Sequence, residues 1–518
     1  MAYKKTDLYL LLMNADLGSS TAEKDSQLQA ARVDVPVLVD VLRDRVDLIV
    51  GPKGSGKSAI FRFVVDSTSM MPDRLIAHGV EASGDDVMRA HQSLGLEGLS
   101  EDDFVDYWCV YLLSLARAQA LGRQARSVKL NDSDRLRSFL ADYQKAGLPT
   151  LDTKRNLRES LEAWAKRIRI RPLVRYQSTT GSLDFSFEGA LDETINPPTS
   201  SERRTATPIP ASVGRLMRAL DELLGRSNLS LWLMVDRLDE VFPRRSPLEA
   251  RALRALLRAL SVFNFDNIRV KVFLRADILD EITAAPAGFT NLDHITSNQR
   301  ILGGWTQEDV LVLVVKRFFA QADISNFFKV DRNRLDGDAT YRKACFGLLF
   351  PPTLAMQGKP RATLKWIHEN LMDGNRVVTP RDVVDFLQFA RQRQLTDLTH
   401  DWTGVADTLI GADAIRQAYR DVSDLKRRTL LSAEFPHLWV HIQKFIGQGH
   451  KWEEARIRRE LGRDADGIIP RLVHVGVLQR QRTKTGNVHY VFPPLYRAGL
   501  ELVQRLERAT PEPLVLMR

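Results

Sequence analysis

Short apolar runs alternate along this chain with stretches whose apolar residues recur every three or four positions. Runs at 46–50, 74–81, 229–235 and 269–274 read as strands buried on both faces. Residues 59–65, 213–224 and 247–263 carry helical spacing between and around them. Alternation of this kind predicts a parallel sheet covered by helices on both sides. The rhythm breaks between about 85 and 212. Helical spacing from 101 to 167 gives way there to two partly alternating runs around Ser178-Thr179-Thr180-Gly181-Ser182, which predict a hairpin over 168–187. Residues 192–212, rich in Pro, Ser and Thr, predict a loop.

The pattern divides the chain. Residues 1–46 form a lead-in segment, with helical spacing over 27–42. An α/β core occupies 47–305 and holds the insertion at about 85–212. A mostly helical region follows at 306–395, then a helical linker at 396–434 and a C-terminal module at 435–518. No internal repeat is visible.

Candidate chemistry starts where the first strand ends. Val46-Asp47-Leu48-Ile49-Val50 runs straight into Gly51-Pro52-Lys53-Gly54-Ser55-Gly56-Lys57-Ser58, and Ala59 continues a helical run. This is the full Walker A pattern in its strand–loop–helix context. Glycines let successive N–H groups turn inward around phosphate oxygens, and the helix adds its positive N-terminus. The backbone of residues 51–59 is therefore the candidate cradle for ATP. Lys57 bridges the β- and γ-phosphates, and the Ser58 hydroxyl is a ligand for Mg²⁺.

A second apolar strand ends in acids. Leu231-Trp232-Leu233-Met234-Val235 leads into Asp236-Arg237-Leu238-Asp239-Glu240, a Walker B-like element. Asp236 is the candidate second metal ligand, through the ion's water shell. Asp239 or Glu240 is the candidate base that polarises the attacking water. The residue types do not choose between those two.

Together, VGPKGSGKS and LMVDRLDE resemble the AAA+ and STAND branch of P-loop ATPases, closest to prokaryotic members whose second motif ends Asp-Arg-Leu-Asp-Glu. The resemblance spans about 20–395. It implies that 306–395 is a lid domain. It implies that Arg275, after Val270-Lys271-Val272-Phe273-Leu274, is a sensor of the γ-phosphate. It implies that Arg381, in Thr379-Pro380-Arg381-Asp382, is a second sensor at the start of a lid helix. Arg300 stands where an arginine finger would. Arg237 occupies the place of the usual Glu, which points to slow hydrolysis and a nucleotide switch. STAND-like relatives add a further expectation: a scaffold in bacterial antiviral defence that assembles with a separate effector protein.

The C-terminal module reads as a winged helix, with helices near 435–447, 452–461 and 466–475 and wing strands at 477–482 and 488–492. The turn between the strands contains Gly486, suited to positive φ. Thirteen Lys or Arg against eight Asp or Glu over 451–518 supply +5 of the chain's net +9. Arg471, Arg480, Arg482 and Lys484 are placed for duplex DNA phosphates. Asp464 and Asp466 oppose that contact, and a winged helix can equally serve as a structural arm.

Composition excludes little else. Cys109 and Cys345 lie far apart and predict neither a disulfide nor a zinc site, only buried apolar residues. No apolar run nears the roughly 18 residues of a membrane span, and the first twenty lack a convincing cleavage site. The expectation is a cytoplasmic homo-oligomeric ATPase, a nucleotide-driven switch or motor, without a membrane partner. Its fold is expected to be a P-loop α/β sheet sandwiched by helices, followed by a helical lid and a winged helix.

Overall fold

The computed structural model describes residues 2–79, 99–120, 133–146, 148, 173–176, 183–186, 209–238, 246–262, 265–283, 298–354, 360–401, 403–483 and 486–503. Two compact units emerge: one of Pro36–Lys53 and Ile60–Leu302, the other of Met1–Val35, Gly54–Ala59 and Gly303–Arg518.

The first unit is built on five parallel strands: β1 (Leu48–Gly51), β2 (Arg74–His78), β3 (Ser230–Val235), β4 (Ile268–Arg275) and β5 (Gln299–Ile301), in the order β2-β3-β4-β1-β5. Four were expected. β5 was not, because Gln299-Arg300-Ile301 has no apolar run and its side chains stand largely in solvent at the sheet edge. β1 and β3 are buried almost throughout. Strands covered on both faces lose alternation and read as continuous apolar runs.

Loop 51–56 leads into α1 (Lys57–Asp66). Further along come α2 (Glu101–Leu115), α3 (Ile209–Arg226), α4 (Pro247–Val262) and α5 (Ala276–Thr283). Ser100 and Asp103 close a reciprocal capping box that starts α2. On one sheet face Leu75, Leu231, Leu233, Val270 and Val272 pack with α2, α3 and α4, and the Trp108 indole donates to the Ala252 carbonyl at 2.8 Å. On the other face Phe61 meets Phe273 edge-on. There the Trp232 ring lies between the Arg74 guanidinium and the fully buried Lys271 ammonium, which also pairs with Asp44 at 2.6 Å. The expected hairpin is present as Leu173–Tyr176 against Leu183–Ser186. The expected loop at 192–212 lies outside the described residues up to 208, and α3 takes its last four positions. Cys109 and Cys345 are both buried, and burial pushes the Cys109 thiol up to about 12.

The lead-in differs from expectation. Helical spacing over 27–42 yields an α-helix only at Pro36–Leu42. Pro36 forces the residue before it out of the helical region, so the helix starts there.

The second unit gathers the N-terminal helix Lys5–Asn14 with α6 (Gln307–Phe319), α7 (Pro380–His400) and α8 (Ala412–Lys426). Its last part holds helix Pro436–Ile442, β6 (Lys451–Glu453), α9 (Glu454–Leu461), α10 (Ala465–His474), β7 (Gln479–Arg482) and β8 (Val488–Val491). The three strands form an antiparallel sheet in the order β6-β8-β7. Two of them were expected. β6 was read as helix because its Lys-Trp-Glu is too short to show a period. Gly486 has φ 88°, as its turn requires. One continuous core runs from Leu8 and Leu12 through Phe318, Leu387 and Ile415 to Leu472 and Phe492.

Candidate functional site

The loop at 51–58 begins as β1 ends. Gly54 and Gly56 adopt φ 81° and 100°, values that side chains rarely tolerate, and they bend the chain before α1 starts at Lys57. Ser55 is 2% exposed, and its hydroxyl has no hydrogen-bond partner among the described residues. A buried unsatisfied hydroxyl costs about 1–3 kcal/mol, which marks the loop as incomplete on its own. Lys57 and Ser58 stand at the first turn of α1, half-buried. Successive inward amides at a helix start make a concavity that suits an anion.

Neighbouring strands bring the acid and the first arginine to the same end of the sheet. β1 pairs with β4 so that Gly51 lies opposite Arg275. β4 pairs with β3 so that Val235 lies opposite Val272, and Asp236 follows at the strand's end. One strand therefore separates the end of β1 from the end of β3, or about 10 Å at two inter-strand spacings. Arg237, next in sequence, has φ 57°. A non-glycine residue in that region costs about 1–3 kcal/mol, and such strain gathers at functional sites. The Arg275 guanidinium is held by both oxygens of Asp277, at 3.0 and 2.8 Å. Asp239 and Glu240 lie outside the described residues.

Within the second unit, the start of α7 rests on the loop. A Cβ added to Gly54 would stand 3.1 Å from Arg381 Cβ and 3.3 Å from Thr379 Oγ1. One added to Gly56 would stand 3.4 Å from Pro380 Cγ. Thr379 caps α7, its hydroxyl accepting from the Asp382 N–H at 3.3 Å, and Pro380 occupies the first turn. The segment that sequence reading singled out for Arg381 is thus folded directly against the loop at 51–58.

Arg300 lies on β5, with its guanidinium on Asp40 at 3.0 Å. What the sequence did not reveal is the buried support behind Arg381. Asp382 is 1% exposed and its carboxylate takes the Lys426 ammonium at 2.6 Å. Those two positions are 44 apart, with no spacing signal to connect them.

No family model matches the chain, and no curated protein matches it. Among solved structures it is similar to the Walker-type ATPase PABY2304 of Pyrococcus abyssi, at 12% identity over 96% of this chain and 100% of that one, with a TM-score of 0.39. It is also similar to the ORC2 protein of Aeropyrum pernix. The structure with ADPNP and ADP gives 12% identity, 92% and 90% coverage and a TM-score of 0.38. The ADP form gives 12% identity, 96% of each chain and a TM-score of 0.31. Likenesses this distant leave the functional reading to the residues themselves. Among the described residues no helix is long and apolar enough to cross a membrane.

Proposed function

We propose that the chain is a magnesium-dependent P-loop ATPase working as a nucleotide-driven switch or motor. The observation that carries this is the loop at 51–58, with left-handed Gly54 and Gly56, set between a buried parallel strand and a helix start. Backbone N–H groups of residues 51–59 other than Pro52 bind the phosphates, and Lys57 meets the β- and γ-oxygens. Ser58 and Asp236 would hold Mg²⁺, which neutralises charge on those oxygens when bound. Water attacks the γ-phosphorus, ADP departs, and the water's proton passes to Asp239 or Glu240. Arg275 and Arg381 steady the charge that builds on the transferred group. Assembly into a homo-oligomer with ATP belongs to the same reading.

The C-terminal module is read as a winged helix that contacts duplex DNA. Arg471, Arg480 and Arg482 are all exposed. Asp466, which opposes DNA by charge, is paired with Arg458. A second reading makes the chain a STAND-like scaffold that holds nucleotide and recruits an effector protein. It is favoured by Arg237 in the strained position just after the metal-binding acid, where rapid AAA+ enzymes carry Glu.

Nucleotide binding and phosphate release, measured with Mg²⁺ and with EDTA, test the proposal. Lys57→Ala should abolish binding. Asp239→Ala or Glu240→Ala should leave binding intact and slow hydrolysis by about 10²–10⁴. Wild-type protein that binds neither ATP nor ADP would end it. Wild-type protein that binds ATP without turning it over favours the scaffold.

A further inference from the structure

The start of α7 is anchored twice, and the two anchors lead to different parts of the chain. On one side Thr379, Pro380 and Arg381 lie against Gly54 and Gly56, and Arg381 N points at the Gly54 carbonyl at 3.5 Å. On the other side Asp382 turns inward to Lys426, at the C-terminal end of α8. The Lys426 side chain is 13% exposed and that of Asp382 2%, so the pair is largely excluded from water.

The same helices hold the C-terminal module. Gly374 N donates to the Gly476 carbonyl at 2.7 Å, and Asn375 Nδ2 to the His474 carbonyl at 2.9 Å. A Cβ on Gly374 would stand 2.7 Å from both the Gly476 and Leu478 oxygens, so backbone meets backbone there. Gly499 N donates to Ser423 Oγ at 2.8 Å, and the Tyr419 hydroxyl donates to the Pro494 carbonyl at 2.6 Å. Ser423 lies one helical turn before Lys426. Carboxyl groups of Asp373 and Asp385 and the phenol of Tyr496 share the field of Asp382.

We infer that Asp382 and Lys426 are positioning residues that hold Arg381 against the phosphate loop, and that they tie its placement to the C-terminal module. The inference rests on the ATPase reading above. If Arg381 addresses the γ-phosphate, losing the pair loosens the arginine and weakens ATP binding relative to ADP. General destabilisation would not change that ratio. The pair thus sets how well the chain tells ATP from ADP, and the C-terminal module is fixed to the element that makes the distinction.

The test is a double-mutant cycle on the full chain, using fluorescent ATP and ADP analogues with Mg²⁺. Arg381→Ala and Lys426→Met should each lower the ATP-to-ADP affinity ratio by about tenfold, and the double variant should lose no more than Arg381→Ala alone, as expected for residues that act as a unit. Asp382→Asn/Lys426→Met leaves no lone buried charge. If Lys426→Met does not fold, this variant carries the same expectation. Losses that multiply, or a ratio unmoved by either Lys426 variant while Arg381→Ala lowers it, overturn the inference and leave the ATPase reading standing. Wild-type protein that binds neither nucleotide overturns that reading first. A ratio unmoved by Arg381→Ala in protein that binds both overturns the inference through its premise.

Discussion

Gly51 and Arg275 stand opposite one another in the parallel register of β1 and β4. The arginine therefore leaves the sheet at the level where the glycine-rich loop begins, and Asp277 holds it two residues on. If nucleotide binds at the loop as proposed, a guanidinium fixed in that way is positioned beforehand. Arg275→Ala should keep ADP affinity within a few-fold and slow hydrolysis by about 10²–10³, the usual loss when one preorganised donor is removed. Asp277→Asn should give a smaller loss of the same kind, because the arginine remains but its orientation relaxes. Steady-state phosphate release beside ADP titration separates the two effects. Equal turnover in Arg275→Ala and wild type would remove Arg275 from the site.

A buried ion pair anchors the N-terminal segment. The Arg317 guanidinium meets both oxygens of Asp25, at 3.1 and 2.5 Å, and also the Leu17 carbonyl at 2.7 Å. Side-chain exposures are 4% and 2%. Breaking such a pair from one side leaves a lone buried charge and costs about 3–5 kcal/mol. Asp25→Ala should therefore lower the denaturation midpoint sharply, while Asp25→Asn/Arg317→Met should recover much of the loss. Urea titrations followed by circular dichroism would measure both. A near-wild-type midpoint for Asp25→Ala would show that the segment is not held through this pair.

How much of this was legible in the chain depends on the range over which each feature is encoded. The loop at 51–58 and its flanking strand and helix are contiguous, so glycine placement and apolar period announced them together. The placement of Asp236 and Arg275 at one end of the sheet was legible because each ends an apolar strand, and parallel strands bring such ends together. β5 was missed because a three-residue edge strand buries too little to leave an apolar pattern. The Asp382–Lys426 and Asp25–Arg317 pairs were missed for another reason. Each joins positions far apart in sequence, and a charged residue reads as solvent-facing until its partner is seen.

Asp373 gives the fold a pH signature. Burial raises its carboxyl to about 6, outweighing the Asn375 and Val377 amides that it accepts at 2.9 and 2.8 Å. In an unfolded chain the group titrates near 3.9. A raised folded value means that folding favours the protonated form. Its contribution is fully present below about pH 4, falls as pH rises through about 6, and is lost above that. The difference is roughly 3 kcal/mol at about 1.4 kcal/mol per pH unit. Asp373→Asn keeps an oxygen for both amides and cannot titrate. It should be more stable than wild type at pH 7.5 and show no difference at pH 4. Melting curves of the two proteins across that range check this, and parallel curves would show that Asp373 does not titrate between 4 and 6.

Charge on β7 offers the sharpest separation between the DNA reading and the scaffold reading. Arg480 and Arg482 are exposed on one short strand, and Arg471 is exposed on α10. Each phosphate contact releases counterions, so log affinity for duplex falls with log salt at about 0.9 per contact. If both β7 arginines touch phosphate, Arg480→Ala/Arg482→Ala should weaken binding to a random-sequence duplex and make that slope shallower by about 1.8. Neither arginine belongs to the loop or the sheet edge, so hydrolysis without DNA should be unchanged. Fluorescence anisotropy at several salt concentrations reads the slope directly. An unchanged slope with a bound duplex places the contact elsewhere on the chain. Wild-type protein that ignores duplex at low salt makes the module a structural arm, and the search then turns to the protein that it holds.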